Sequence, residues 1–297
     1  MSYELLNFGE TLWSLRVYKG MDISDLAEDI CSEEDFILFE KDRKSPTLEQ
    51  LYKISIKLNI EISDFFGFTS AGSIDYVSSV YNLIKKYKRD RNYQAINVII
   101  EKEKDNPLFK PPSRKQFLMW HEAICSYYLA KVEIRDKEVS IKKLYEAIEL
   151  TNPSKKGLSE REIEILMSIS LLEKDDSNFD EAIILLNEVL KDLDRLPSII
   201  DTRVQLRALF GLSQSLSKVN NFEESLNYSL KGIDQCINNE DFYLFGEFLY
   251  QTGLNYINLG NLKKGKEYYT KSIQAFELQG NEKLSEVVKE EIEKVLN

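Results

Sequence analysis

The sequence predicts an all-helical protein in two parts, a compact multi-helix unit followed by a stack of antiparallel helical hairpins. Three observations carry this. Apolar residues recur at i, i+3 and i+4 along the chain, as in Ala182, Ile183, Leu185, Leu186, Val189 and Leu190. Cap and turn signals break residues 1–66 into short amphipathic runs. One corner, opening on Asn, returns at Asn92, Asn178, Asn221 and Asn261, with spacings of 86, 43 and 40 residues.

The elements of the first part follow in order. The pattern Leu12, Leu15, Arg16 is a first helix that Gly20 ends, because glycine accepts positive φ. Asp22 and Ser32 are N-cap residues for a second and a third helix. Glu33, Glu34 and Asp35 fill the first turn of the third, where the helix dipole favours acids. Thr47 and Gln50 form a capping box that starts a fourth. Phe65-Phe66 closes a fifth and last helix. Short helices meeting at tight corners are the pattern of a helix-turn-helix domain, whose second helix enters the major groove of DNA.

Charge opposes that use. Residues 1–68 hold seven Lys and Arg against fourteen Asp and Glu, and DNA affinity comes largely from cations that displace counterions. The residues set to face DNA are Ser32, Glu33, Glu34, Asp35 and Phe36, with the basic run Lys41, Arg43 and Lys44 just behind to hold phosphates. Carboxylates accept from cytosine N4, so acidity narrows the readout without abolishing it.

Residues 67–73, with Ser70-Ala71-Gly72-Ser73, form the expected hinge, and residues 74–297 the repeat domain. The first corner gap holds one degenerate copy near Val132–Lys137, which makes five hairpins. A single hairpin cannot bury its apolar face alone, so neighbours complete the core. The period exceeds the tetratricopeptide value of roughly 34, so the helices are longer in this right-handed superhelix of tetratricopeptide-like hairpins. Glu282–Leu296, apolar at Leu284, Val287, Val288, Ile292 and Val295, is the closing helix.

Other chemistry is sparse. The single histidine, His121, excludes a His-rich metal site and reads as a packing residue beside Trp120. Cys31, Cys125 and Cys236 are widely separated and read as small buried hydrophobes in a reducing compartment. Gly260-Asn261-Leu262-Lys263-Lys264-Gly265-Lys266 imitates a phosphate-binding loop but lacks the Ser/Thr, follows no strand and matches the repeat corner. No apolar run approaches the roughly 18 residues that span a bilayer. With no basic-then-apolar leader at the N-terminus, the expectation is a cytoplasmic protein that is not an enzyme and uses no cofactor.

Aligning the corners places Glu164, Arg207 and Glu247 at one position on successive first helices, and Glu160, Arg203 and Tyr243 one turn away. First helices line the concave face, so an acid–base–acid ladder is expected there, either as inter-repeat pairing or as a polar rail for a peptide. Gly211 would open space beside it, and Tyr250 would offer an aromatic wall.

The order helix-turn-helix, hinge, five hairpins and closing helix resembles the Rgg/NprR/PlcR/PrgX family of peptide-sensing regulators, with the chain similar to a divergent PlcR-like member. The segments that carry this are Leu15-Arg16-Val17-Tyr18-Lys19-Gly20, Leu26-Ala27-Glu28-Asp29-Ile30-Cys31, Phe39-Glu40, Lys57-Leu58-Asn59-Ile60, Phe117-Leu118-Met119-Trp120 and Phe222-Glu223-Glu224-Ser225-Leu226. The resemblance implies a cytoplasmic homodimer of quorum-sensing type. It would bind a short signalling peptide in the repeats and palindromic, double-stranded promoter DNA through the first domain, with no membrane partner. It also implies a structural Arg16–Glu40 pair and a peptide-binding role for Arg89 and Arg91. Family groove positions fall on Gly211, Glu247 and Leu284, residue types that imply a different peptide. The competing expectation is an interaction module or anti-regulator with a vestigial helix-turn-helix. The dimer surface is expected in the repeats, because residues 1–66 have little apolar area to spare.

Overall fold

The structure is a computed structural model and describes residues 8–62, 73–131, 135–197 and 201–296. Phe65-Phe66, most of the expected hinge and Val132–Ile134 of the degenerate corner lie outside the described residues. Every regular element among the described residues is helical: α1 (Phe8–Tyr18), α2 (Ile23–Ala27), α3 (Glu33–Glu40), α4 (Leu48–Leu58), α5 (Ser73–Arg89), α6 (Tyr93–Glu103), a 3₁₀ turn (Pro107–Phe109), α7 (Pro112–Leu129), α8 (Lys137–Thr151), α9 (Glu160–Asp175), α10 (Phe179–Leu193), α11 (Arg203–Lys218), α12 (Phe222–Asn238), α13 (Phe245–Asn258), α14 (Leu262–Leu278) and α15 (Glu282–Leu296). The chain divides into two compact units, residues 1–92 and 93–297.

In the first unit the caps sit where the sequence put them. Gly20 has φ 66° and its successor's amide, Met21, donates to Arg16 O at 3.1 Å, closing α1. Ser32 Oγ accepts from the Asp35 amide, and Thr47 and Gln50 exchange both bonds of the capping box. The helices enclose a core of Leu12, Leu26, Ala27, Phe36, Phe39, Leu51, Ile54 and Leu58. Each of its large side chains contributes on the order of 1.5–3 kcal/mol by leaving water. α1 and α3 approach closely at Gly9, where a Cβ would meet the carbonyl oxygens of Phe39 and Glu40.

That core does not use all the apolar residues available. Trp13 and Val17 on α1, and Leu48, Tyr52 and Ile56 on α4, are each half or more exposed. The last three recur at i, i+4 and i+8 and form a stripe opposite Leu51, Ile54 and Leu58. The premise that this part has no apolar area to spare is therefore corrected. A core this small accepts one face of α4, and the other face is apolar too.

In the second unit each helix packs on the next from α6 to α15. Four hairpins, α7–α8, α9–α10, α11–α12 and α13–α14, follow α6, and α15 closes the stack by packing its Val288 with Tyr269 and Phe276 of α14. First helices of successive hairpins also meet, α9 with α11 and α11 with α13, which places them on the inner side of the curved stack. The Asn corners share one geometry. The residue before each Asn is left-handed: Arg91 (φ 52°), Ser177 (62°), Asn220 (62°) and Gly260 (80°). The Asn amide then donates to the carbonyl five residues back, on Tyr87, Glu173, Leu216 and Tyr256, at 2.8–2.9 Å. Gly280 and Asn281 repeat it before α15. This is the two-bond helix stop that satisfies the last carbonyls. The phosphate-loop imitation at 260–266 is one copy of this stop.

The remaining single residues resolve simply. His121 is buried between Phe117 and Trp120, ring centroids 4.3 and 4.4 Å away, with Nδ1 2.8 Å from Phe117 O. Cys125 and Cys236 are buried, and burial pushes both thiols up to about 12. Cys31 is only partly buried, so its reading as a buried hydrophobe holds less well.

Candidate functional site

Two surfaces concern function, one in each unit. In the first unit, Arg16 and Glu40 meet in a fork: Nε to Oε1 at 2.6 Å and Nη2 to Oε2 at 3.1 Å, with Nη1 donating to Met21 O. Their side chains are 13% and 8% exposed. The pair ties the end of α1 to the end of α3 and so sets the angle at which α3 is presented. The hydrogen bond to Glu40 is what chiefly raises the Arg16 pKa.

The N-terminal turn of α3 presents Ser32, Glu33 and Glu34 to solvent, with Asp35 partly exposed. Phe36, expected to face DNA, does not. It is 0% exposed and packs edge-on to Phe39 at 6.3 Å. Helix periodicity gives the reason: Phe36 and Phe39 are three apart and share the face that fills the core. Lys41, Arg43 and Lys44 are all exposed just after α3. Lys44 is engaged, its Nζ 2.7 Å from Asp35 Oδ2. Asp42, between them, is exposed and accepts from the Gly9 amide at the start of α1.

Arg89 ends α5 and Arg91 follows in the left-handed corner, both exposed in the first unit. Arg91 thus holds the helix-stop position that Ser177, Asn220 and Gly260 hold elsewhere.

In the second unit the predicted row is half a ladder. Arg207 Nη2 meets Glu164 Oε1 at 2.5 Å, so α9 and α11 are joined as expected. Glu247 forms no ion pair with Arg207, and burial pushes its carboxyl pKa up. Glu247 lies in the first turn of α13, whose own amides compete for the carboxylate. The second row pairs partly within itself and partly with residues outside it. Arg203 Nε bonds Asp241 Oδ2 at 2.8 Å and lies over the Tyr243 ring at 5.4 Å, while Glu160 accepts from the Asp201 amide. The Arg203 hydrogen bond holds Asp241 below the usual carboxylate range.

Gly211 is partly exposed, and a Cβ there would meet only Leu186 of α10, in ordinary contact at 3.4 Å. One expectation for this face is corrected. Tyr250 is not a free aromatic wall. Its ring stacks on Tyr269 at 5.3 Å and its hydroxyl donates to Glu291 Oε2 at 2.8 Å, which ties α13 to the closing helix.

Sequence reasoning missed the rest of the inner seam. Arg161 donates to Ser113 O, Trp120 Nε1 to Ser168 Oγ at 2.9 Å, Tyr128 to Asp175 at 2.6 Å and Lys174 to Gln214 at 3.0 Å. The available signal was a seven-residue spacing, in Ser113 and Trp120 on α7 and in Arg161, Ser168 and Asp175 on α9. Two helical turns return a side chain nearly to the same face. The inner face is thus a polar seam of first-helix side chains running from α7 to Arg207 on α11, with Arg207 Nε buried without a hydrogen-bond partner among the described residues.

Comparison with known proteins supplies the frame. A family model described as the RNPP family C-terminal domain matches residues 81–297. No curated protein matches the sequence. Among solved structures, Bacillus thuringiensis PlcR in complex with the peptide PapR7 and DNA is similar, at 22% identity and TM-score 0.80, over 95% of this chain and 99% of that one. ComR from S. thermophilus, in complex with DNA and its signalling peptide ComS, is similar at 17% identity and 0.68, over 98% and 100%. The SHP pheromone receptor Rgg2 of Streptococcus dysgalactiae is similar at 19% and 0.65, over 97% and 99%. At these identities the likeness is one of fold.

Proposed function

The chain belongs to the RNPP family, and on that footing we propose that it is a cytoplasmic, peptide-responsive transcriptional regulator that binds palindromic promoter DNA as a homodimer. The observation that carries this is the match along nearly the whole chain to a structure holding both a peptide and DNA. In this reading the first unit reads DNA through Ser32, Glu33, Glu34 and Asp35, with Lys41, Arg43 and Lys44 on phosphates. The Arg16–Glu40 fork supports it, because an intact fork fixes the attitude of α3. The second unit binds a short peptide on its inner face, with Arg207, Glu164 and Glu247 meeting the peptide's polar groups. Arg89 and Arg91 are proposed to meet an acidic group of the ligand. The partly exposed Arg207 guanidinium, anchored by Glu164, supports a ligand that brings an acceptor. No described helix is long and apolar enough to cross a membrane.

Two measurements test the reading. Selection of the full-length protein on randomised duplex DNA is expected to enrich a two-fold-symmetric sequence, bound with a steep negative dependence on salt. A screen of peptides of about five to eight residues, followed by calorimetry, is expected to find a ligand that Arg207→Ala binds roughly tenfold to a hundredfold more weakly. A protein that captures peptide yet enriches no DNA sequence is an interaction module, and the regulatory reading is then wrong.

A further inference from the structure

Of the three cations placed behind α3, Lys44 alone has an ion-pair partner among the described residues, and that partner belongs to the proposed reading surface itself. The Asp35 and Lys44 side chains are 32% and 47% exposed and their charged atoms lie 2.7 Å apart. Lys41 and Arg43 form no ion pair among the described residues. Asp35 occupies the first turn of α3, beside Glu33 and Glu34, and Lys44 lies in the turn between α3 and α4. A phosphate that takes Lys44 competes with Asp35 for its single positive charge. What is left is a carboxylate facing a polyanion, without the cation that neutralised it. Against guanine or thymine that is a loss, because guanine O6 and N7 and thymine O4 are acceptors like the carboxylate itself, and adenine sets its N7 acceptor beside its N6 donor. Cytosine differs. Its N4 amino group is a donor, and a carboxylate that accepts from it no longer needs the lysine.

Resting on the DNA-binding reading above, we propose that Asp35 is a specificity-determining residue: its ion pair with Lys44 weakens binding to DNA in general, and a cytosine placed against α3 relieves it. Contact with base and contact with backbone are thereby linked, since Lys44 reaches phosphate at full strength only when Asp35 has a base to hold. A protein with a surplus of acid in this unit then discriminates by penalising wrong sequences more than by rewarding the right one.

The test uses the full-length protein and a fluorescein-labelled duplex of mixed sequence, with anisotropy followed against potassium chloride concentration. Asp35→Asn keeps the size of the side chain and leaves the Asp35 amide free to bond Ser32 Oγ as before. It is expected to bind this duplex roughly two- to fivefold more tightly than the parent, the affinity equivalent of an exposed ion pair, with a salt slope steeper by about one. Glu34→Gln removes the same charge from the same helix without releasing a lysine, and is expected to gain less. Adding Lys44→Ala to Asp35→Asn is expected to erase the excess over Glu34→Gln. Selection on random DNA should enrich a cytosine with the parent that Asp35→Asn no longer prefers. The proposal is overturned if Asp35→Asn binds no more tightly than Glu34→Gln, or if its gain survives the loss of Lys44. Failure of every variant, parent included, to bind DNA in a salt-dependent way overturns the DNA reading itself, and is distinguishable because no variant then has a slope.

Discussion

Replacing Arg16 with Ala should strongly destabilise the first unit while leaving the stability of the repeats unchanged. Arg16 makes two bonds to Glu40 and one to Met21 O, and both charged side chains are nearly out of solvent, at 13% and 8% exposure. Without Arg16, Glu40 is a nearly buried carboxylate that has lost both guanidinium bonds, and the Met21 carbonyl loses a donor. Breaking one partner out of such a pair costs about 3–5 kcal/mol. A unit of this size commands total stability of only a few kcal/mol at roughly 0.05–0.15 kcal/mol per residue, so the loss consumes most of it. The chain has two tryptophans, Trp13 on α1 and Trp120 on α7, one in each unit. Labelling with 5-fluorotryptophan therefore gives one ¹⁹F resonance per unit, followed through a urea titration. The Trp13 signal of Arg16→Ala is expected to shift to its unfolded position at far lower urea than in the parent, with the Trp120 midpoint unmoved. Arg16→Ala/Glu40→Ala should cost less than the two single changes added, because it leaves no stranded charge. A Trp13 midpoint equal to the parent's, or strict additivity in the double variant, would refute the account of the pair.

Two further predictions concern stability. Arg91 adopts φ 52° at a helix stop where Gly260 serves the same role, so Arg91→Gly should stabilise the corner by about 0.5–1 kcal/mol, read as a higher thermal midpoint. If Arg91 also holds an acidic group of the peptide, the same variant should bind peptide more weakly, which separates the two duties. Burial raises the Glu247 pKa, so the folded state binds its proton more tightly than the unfolded chain does. The stability this residue allows is then complete below its unfolded pKa, near 4.3, and is lost as pH rises through the folded value. Glu247→Gln should accordingly raise the thermal midpoint at pH 7, and the gain should close near pH 4. An equal gain at both pH values would show that burial of the charge is not the cause.

The amino-acid sequence by itself determined the helices, their ends and their order. Gly20, Ser32, Thr47 with Gln50, and the Asn corners act on backbone groups within six residues, and such short-range bonds form wherever the residues occur. The corner spacing likewise revealed the stack, because each hairpin must bury its apolar face on a neighbour. The Glu164–Arg207 pair and the packing role of His121 were also legible, the first from the repeat spacing and the second from its aromatic neighbours. Only the tertiary structure decided which side chains meet across forty residues. Arg207 chose Glu164 and not Glu247, Arg203 chose Asp241 of a loop, and Tyr250 turned from the groove to Glu291 of the closing helix. Phe36 was misplaced for the same reason. Its inward aspect depends on the rotation of α3 against a small core. That rotation is set by the fit of whole helix faces, a sum of many weak contacts that no local spacing in the chain encodes.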